Sequence, residues 1–421
     1  MSRRGPRTAL LGTSSAARLR RWLAEGCRST KWRLIASTFV ICKVAAPLIV
    51  LVTFVMLGRD WSDPAIPPAS QFSPFDMWFR WDSEHYLRLA REPNYFAPLT
   101  AEEHAVISQA ATGASAEVPP SLHRFTFAPL YPALSRLMGG LLGGHFHLGM
   151  LVIANIAFLA CLILVYDLAA AMIPDGSPGD AVILLALAPT GFLLQAGLSE
   201  STFLALVLGC FVMAERQRWG WATVLGFAAG LTRSMGLLIA LPLLFVLLRQ
   251  NGYRVSKANL REYATALPAL AAPEAAWGAF MVYCRAMTGD WLAYNHLQHA
   301  GWWVTMGLPF RWMASLFGPV DQELLKAWLV LATVVLLIVA AFRVPGAYTL
   351  LGAVLIVPPL MMSNWDQSGL RYLLMAIPVA LLGAAVLRRF PHGRSVIFAA
   401  LAVTQALLLI AWNLPWTYMI V

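Results

Sequence analysis

The chain has 421 residues, of which 59% are hydrophobic and only 12% charged, and its mean hydropathy is +0.65. Soluble globular domains carry roughly 25% charged residues, so this composition excludes a soluble fold, intrinsic disorder and a disulfide-stapled secreted module. The apolar runs are long, continuous and rich in Leu and Ala, unlike the alternation over roughly 10 residues that marks a membrane β-barrel, and the chain reads as an all-α polytopic membrane protein.

There are 31 Lys and Arg against 21 Asp and Glu, a net charge of +10. Residues 1–34 hold nine basic side chains and one acid, Glu25, so +8 of that charge precedes the first apolar run. A nucleic-acid-binding arm or an Arg-rich organellar transit peptide has this composition. So does a cytoplasmic tail that obeys the positive-inside rule and touches anionic lipid, and this is the reading adopted for 1–33. No nucleic-acid partner is expected. Cys27, Cys42, Cys161, Cys210 and Cys284 show no CxxC spacing, which argues against a disulfide framework or a thiolate metal site.

A bilayer core about 30 Å thick needs roughly 20 apolar helical residues. Runs of about that length, some shorter, centre in 34–57, 147–171, 181–198, 200–214, 219–232, 234–248, 263–288, 327–342, 346–362, 370–387 and 395–414. The stretch 126–142 carries Pro129, Pro132 and Arg136 and reads either as a span or as a helix at the interface. The expectation is therefore eleven spans, or twelve with that stretch, in a single domain over 34–421. The basic connections 215–218, 249–261 and 388–394 belong with the tail on the cytoplasmic side, which puts 58–125, 289–325 and 363–369 outside. The Ala, Arg and Gly usage suggests a GC-rich bacterial genome and hence a bacterial plasma membrane.

The first outer loop, 58–125, holds nine acids, five Arg and no Lys. A loop of this length in a compact protein is usually functional. Within it, FDMWFRWDSEHYLRLAR (75–91) suits a helix lying flat on the membrane, with Phe75, Phe79, Tyr86 and Leu89 approximating one apolar face. Asp82 and His85, three apart, share another face, and Glu84 and Arg88, four apart, are spaced to pair. The second outer loop, 289–325, carries His296, His299, Trp302 and Trp303, as an interfacial belt does. Four ionisable residues lie in or beside apolar runs: Lys43, Glu200, Arg233 and Arg371. Charges there are costly and mark function by default. Arg233 and Arg371 also suit snorkelling helix ends, Glu200 a helix N-terminus, and Lys43 a structural pairing.

Five motifs then occur in order: Trp81-Asp82-Ser83-Glu84-His85-Tyr86, Pro129-Leu130-Tyr131-Pro132, Ser199-Glu200-Ser201-Thr202-Phe203, Thr232-Arg233-Ser234-Met235-Gly236 and Arg371-Tyr372. Over about residues 34–387 the chain resembles the GT-C membrane glycosyltransferases, closest to the PIG-V mannosyltransferases of GPI-anchor assembly and their bacterial relatives. Ala128 departs from that pattern, which has a second aromatic before the proline. The resemblance implies a GT-C fold with interfacial helices in the first outer loop. It also implies inverting transfer of mannose from a polyprenyl- or dolichyl-phosphate donor to a hydroxyl of a lipid-linked glycan or glycolipid.

Elementary chemistry agrees with that implication. An outward-facing site has no nucleotide sugar and needs a lipid-borne donor. Inverting displacement needs one base for the acceptor proton. A phosphate leaves without protonation, so the second carboxyl of a glycosidase is unnecessary, but the departing charge needs cations. Asp82 is the expected base, and Arg233 or Arg371 the phosphate ligand. His85 is expected to orient Asp82 or touch sugar, and Glu200 to bind a hydroxyl. Arg80, Glu84, Tyr131, Gln298, His299 and Tyr372 complete the expected binding set. Asp82, Glu84 and His85 on one helical turn do not converge well on a metal, so neither metal nor cofactor is expected. A lipid-linked sugar transporter without transferase chemistry is the alternative, and an accessory subunit of a catalytic partner the next.

Overall fold

The computed structural model describes residues 29–57, 76–257 and 259–413. The tail through residue 28, with Cys27, and the loop portion 58–75, with Phe75, lie outside the described residues. Among the described residues all regular structure is helical, apart from one isolated bridge between Met306 and Met362. In chain order the helices are α1 (Thr30–Leu57), α2 (Asp82–Arg91), α3 (Ala101–Ala111), α4 (Leu130–Leu141), α5 (Phe146–Met172), α6 (Pro178–Ala186), α7 (Glu200–Glu215) and α8 (Trp219–Gly230). They continue with α9 (Ala240–Gln250), α10 (Leu260–Thr288), α11 (Ala293–Trp302), α12 (Gln322–Ala341), α13 (Gly346–Met361), α14 (Trp365–Tyr372), α15 (Ile377–Val386) and α16 (Pro391–Asn413).

Four helices, Thr30–Thr53, Phe146–Met172, Gln322–Ala341 and Pro391–Asn413, are long and apolar enough to cross a membrane among the described residues. The pair Trp365–Met375 and Ile377–Arg389, bent by 47°, makes a fifth if it is one span. The chain is thus built as a multi-pass membrane protein. The other apolar runs fall on shorter or more polar helices because they contain breaks. The run 181–198 ends as α6 and resumes as a 3-10 turn at Gly191–Gln195, and 219–248 is divided at Thr232-Arg233. In α10, Pro268, Pro273, Glu274 and Arg285 dilute the apolar character. Each break exposes backbone polar groups that lipid cannot satisfy, so breaks at membrane depth must face protein or a cavity.

The stretch 126–142 yields α4, whose 12 residues extend about 18 Å at 1.5 Å per residue, too short to span alone. Gly143 and Gly144 both hold positive φ (70° and 91°), a conformation glycine adopts at little cost, and they turn the chain into α5. The two helices then pack so closely that a Cβ on Gly149 would stand 2.5 Å from the backbone nitrogen of Gly139.

Helix α2 buries Ser83, Tyr86, Leu87, Leu89 and Ala90 against α4 and α5. Tyr86 and Leu89, two residues of the face expected to rest on the membrane, are thus covered by protein, and this docking fixes the orientation of Asp82 at its first position. The described parts of the two breaks, 76–125 and 289–325, pack on each other. Ile107, Leu122, Phe125, Phe280, Cys284 and Leu297 form a hydrophobic cluster separate from the main core. Ala116 N–H donates to the Ala300 carbonyl across the same contact (3.3 Å).

Candidate functional site

Every ionisable group of the candidate site sits at a helix end or a break. Asp82 opens α2, Glu200 opens α7, Arg233 lies just ahead of the turn Ser234–Ile239, and Arg371 is in the last turn of α14. Carboxylates at helix N-termini and a guanidinium at a C-terminus complement the helix dipoles. The interior of α7 is apolar, and its one site charge, Glu200, sits where the helix starts.

The four side chains meet in an alternating series. Arg371 Nη1 donates to Asp82 Oδ2 at 2.6 Å and stands 3.8 Å from Glu200 Oε1. Arg233 Nη1 lies 2.7 Å from the same Glu200 oxygen and donates to Ser199 Oγ at 3.2 Å. Ser199 Oγ is 2.9 Å from the Tyr86 hydroxyl, and Tyr86 lies one turn beyond Asp82 on α2. The contacts close into a ring linking α2, α7, the break at 232–234 and α14. Arg371 Nη2 donates to Ser368 Oγ at 3.0 Å, and the Arg233 guanidinium lies over the Tyr372 ring, 5.2 Å from its centroid.

Burial differs along the series. The Glu200 side chain is 1% exposed, Arg371 5% and Arg233 12%, but Asp82 is 23% exposed. Glu200 is a sealed anion holding two arginines, while Asp82 is partly exposed. Burial opposes ionisation of Asp82, but the guanidinium of Arg371, aided by His85 and Arg233, outweighs it and holds the carboxyl below the usual carboxylate range. Trp81, just before Asp82, has φ 58° and ψ −122°, and a non-glycine residue held in such a region costs on the order of 1–3 kcal/mol. The strain sits at the entry to the residue that the ring clamps.

His85 leaves the charged series and joins an aromatic group. Its ring centroid lies 4.3 Å from that of His123, 5.1 Å from Phe127 and 6.0 Å from Trp302. Burial lowers the His85 pKa against the pull of Asp82 and Glu84. Burial, with His85 and Arg88 nearby, lowers that of His123 to about 3. Both imidazoles are neutral near pH 7, so positive charge in the site comes from arginine.

The structure therefore brings together Asp82, Glu200, Arg233, Arg371 and Tyr372, with His85 alongside. Tyr131 is fully buried behind Tyr86 (ring centroids 5.1 Å apart), and its hydroxyl lies 3.4 Å from the Met150 carbonyl, which makes it part of the wall. Gln298 Nε2 donates to the Thr126 carbonyl at 2.9 Å, and His299 Nε2 lies 3.2 Å from the Gly113 carbonyl, so both tie the outer segments together. Arg80 lies over the Trp81 ring. Glu84 points to a different cavity, across α2 from Asp82, that it shares with Arg88. Asp82 and Glu84 are two apart, and such residues do not share a helix face.

Sequence reasoning did not single out Ser199, Ser368 or His123. Ser368 was reachable, since three residues before Arg371 on a helix is a neighbouring position. Ser199 lies inside the LSESTFL motif but carries no charge to draw notice. His123 follows from nothing local.

No family profile and no curated protein matches the chain. Among solved structures, ArnT from Cupriavidus metallidurans bound to undecaprenyl phosphate is similar at 15% identity, over 85% of this chain and 63% of that one, with a TM-score of 0.48. The chain thus spans less than two thirds of that protein's length. A similarity at this level does not establish a family, and the meaning of the site comes from its own side chains.

Proposed function

We propose that the protein is a GT-C-type inverting glycosyltransferase. It takes a hexose, mannose by the motif resemblance, from a polyprenyl-phosphate donor and passes it to a hydroxyl of a glycolipid or lipid-linked glycan on the non-cytoplasmic face. The observation that carries this reading is the partly exposed Asp82 carboxylate held 2.6 Å from the buried guanidinium of Arg371.

The roles follow from charge and access. The donor phosphate approaches Arg371 and Arg233, where guanidinium groups suit phosphate oxygens. As the phosphate arrives, Arg371 is shared between two anions, its hold on Asp82 weakens, and the carboxylate gains basicity. The acceptor oxygen then attacks the anomeric carbon. The new C–O bond forms as the bond to the phosphate oxygen breaks, Asp82 takes the hydroxyl proton, and polyprenyl phosphate leaves against the arginines. Glu200 is too enclosed to meet a sugar hydroxyl and sets the spacing of the two arginines. His85 and Trp302 offer ring faces beside Asp82 for a sugar.

An apolar cavity of about 480 Å³ supports a lipid-borne donor. Leu373 and Leu374, which follow Arg371-Tyr372 in the chain, line it together with residues of α6, α12, α15 and α16. Its Leu, Ala, Ile and Val side chains offer a prenyl chain the same apolar surroundings as the bilayer interior. The test is to incubate the purified protein with a panel of polyprenyl-phosphate sugars and membrane extract as acceptor. The expected outcome is donor consumption coupled to a new glycosidic product, with the mannosyl donor preferred. Lipid-linked sugar crossing proteoliposomes with no such product would support the transporter reading instead.

A further inference from the structure

We infer that a second lipid site lies on the face of α2 opposite Asp82, and that it holds a zwitterionic phospholipid headgroup of the phosphoethanolamine type. The inference does not depend on the transferase reading. A cavity of about 660 Å³ there has Arg88, Arg91, Arg124, Glu84 and Glu92 in its wall. Arg124 is 2% exposed, donates to the Asn94 carbonyl and faces Glu103 at 3.9 Å. Its Nε nonetheless has no hydrogen-bond partner among the described residues, and an unmet buried donor is costly. Glu84, Arg88 and Glu92 are exposed, and none has an ion pair within 4.0 Å among the described residues. Arg88, Glu84 and Glu92 thus face one space without pairing with each other, while Arg91 Nη2 lies 3.1 Å from His147 Nε2. A lone anion would meet both carboxylates, and a lone cation would meet the arginines. A phosphate joined to a primary ammonium satisfies both sets, with phosphate on the arginines and ammonium on Glu84 and Glu92.

The chain of such a lipid also has a place. Leu89 lines this cavity and also an adjoining groove of about 500 Å³ on α4, formed with Pro93, Tyr95, Leu137 and Leu141. Leu137 is 64% and Leu141 74% exposed, so the groove opens outward with its apolar side chains uncovered. A cavity lined by charged groups and an apolar groove on the two sides of Leu89 match a headgroup and an acyl chain.

The experiment is native mass spectrometry of the delipidated full chain in detergent. The probes are phosphatidylethanolamine, phosphatidylglycerol and phosphatidylcholine with matched chains, together with free phosphoethanolamine. Phosphatidylethanolamine should be retained best and free phosphoethanolamine poorly. Arg88→Ala/Arg91→Ala should weaken retention of phosphatidylethanolamine about tenfold, the loss of roughly one charge-assisted contact. Glu84→Gln/Glu92→Gln should remove the preference for phosphatidylethanolamine over phosphatidylglycerol, and Leu137→Asn should weaken all three lipids. If the arginine variant does not fold, the glutamate pair decides alone. Equal retention by wild type and the charge variants, or phosphatidylglycerol bound as well as phosphatidylethanolamine by wild type, overturns the proposal.

Discussion

Asp82 and Arg371 stand 289 positions apart in the chain and 2.6 Å apart in space. One opens a short helix in the first outer segment, and the other ends a short helix near the far end of the chain. Between them they join a partly exposed carboxylate to a buried cation, and the remaining charges of the site serve to hold that pair. Glu200 anchors Arg371 and Arg233 from behind, and Ser199 returns the connection to α2 through Tyr86.

Glu200→Gln should destabilise the protein more than any substitution at Asp82. It leaves two buried guanidinium groups without their shared anion, and breaking a buried ion pair costs about 3–5 kcal/mol. Thermal unfolding in detergent reads this directly. A melting temperature equal to wild type would mean that Glu200 is not the clamp described here.

The acid limb of stability should lie low. The folded-state pKa of Asp82 is depressed, so its contribution is complete above the unfolded value of about 3.9 and is lost only as pH falls through the lower folded value. Melting temperature measured against pH should therefore show no Asp82-dependent loss between pH 7 and 5, taking the Asp82→Asn variant as reference. In Arg371→Gln the acid limb should move upward, because burial acting alone favours the neutral carboxyl.

No histidine inflection is expected near neutrality. Burial keeps both His85 and His123 neutral, with His123 at about 3. Transfer rates for wild type and a His85→Gln variant should share one flat profile between pH 6 and 8, whatever their absolute difference. An inflection near 6.5 that disappears in His85→Gln would contradict this assignment.

Gly149→Ala should loosen the α4–α5 hairpin. The new methyl group meets backbone atoms of Gly139 at 2.5 and 2.8 Å, which cannot swing aside as a flexible side chain would. Overpacking of this kind costs about 1–3 kcal/mol, measurable as a lower midpoint in thermal unfolding, whereas Gly140→Ala, with open space around it, should be near neutral.

Much of this architecture was legible in the sequence. Composition excluded a soluble fold, and of the four residues singled out as costly in apolar surroundings Glu200, Arg233 and Arg371 meet around Asp82, while Lys43 bonds to Asn155. Charge burial is a strong energetic signal and leaves a plain trace in sequence. What escaped was geometry that period and composition do not encode. Apolar runs show where helices are buried but not where they break, so among the described residues four or five helices reach spanning length. Glu84 was placed in the expected binding set with Asp82, yet helical rotation turns it to another cavity. Gln298 and His299 stood out as polar residues in the second outer loop, and their hydrogen bonds go to backbone carbonyls of the first, a pairing no local pattern records.

The most direct test of the central claim is single-turnover transfer by purified Asp82→Asn with a polyprenyl-phosphate hexose donor. The substitution preserves shape and removes the proton acceptor. Folding should be retained, with the rate falling by about 10²–10⁴-fold. A variant that folds and turns over at the wild-type rate would show that Asp82 does not act as the base.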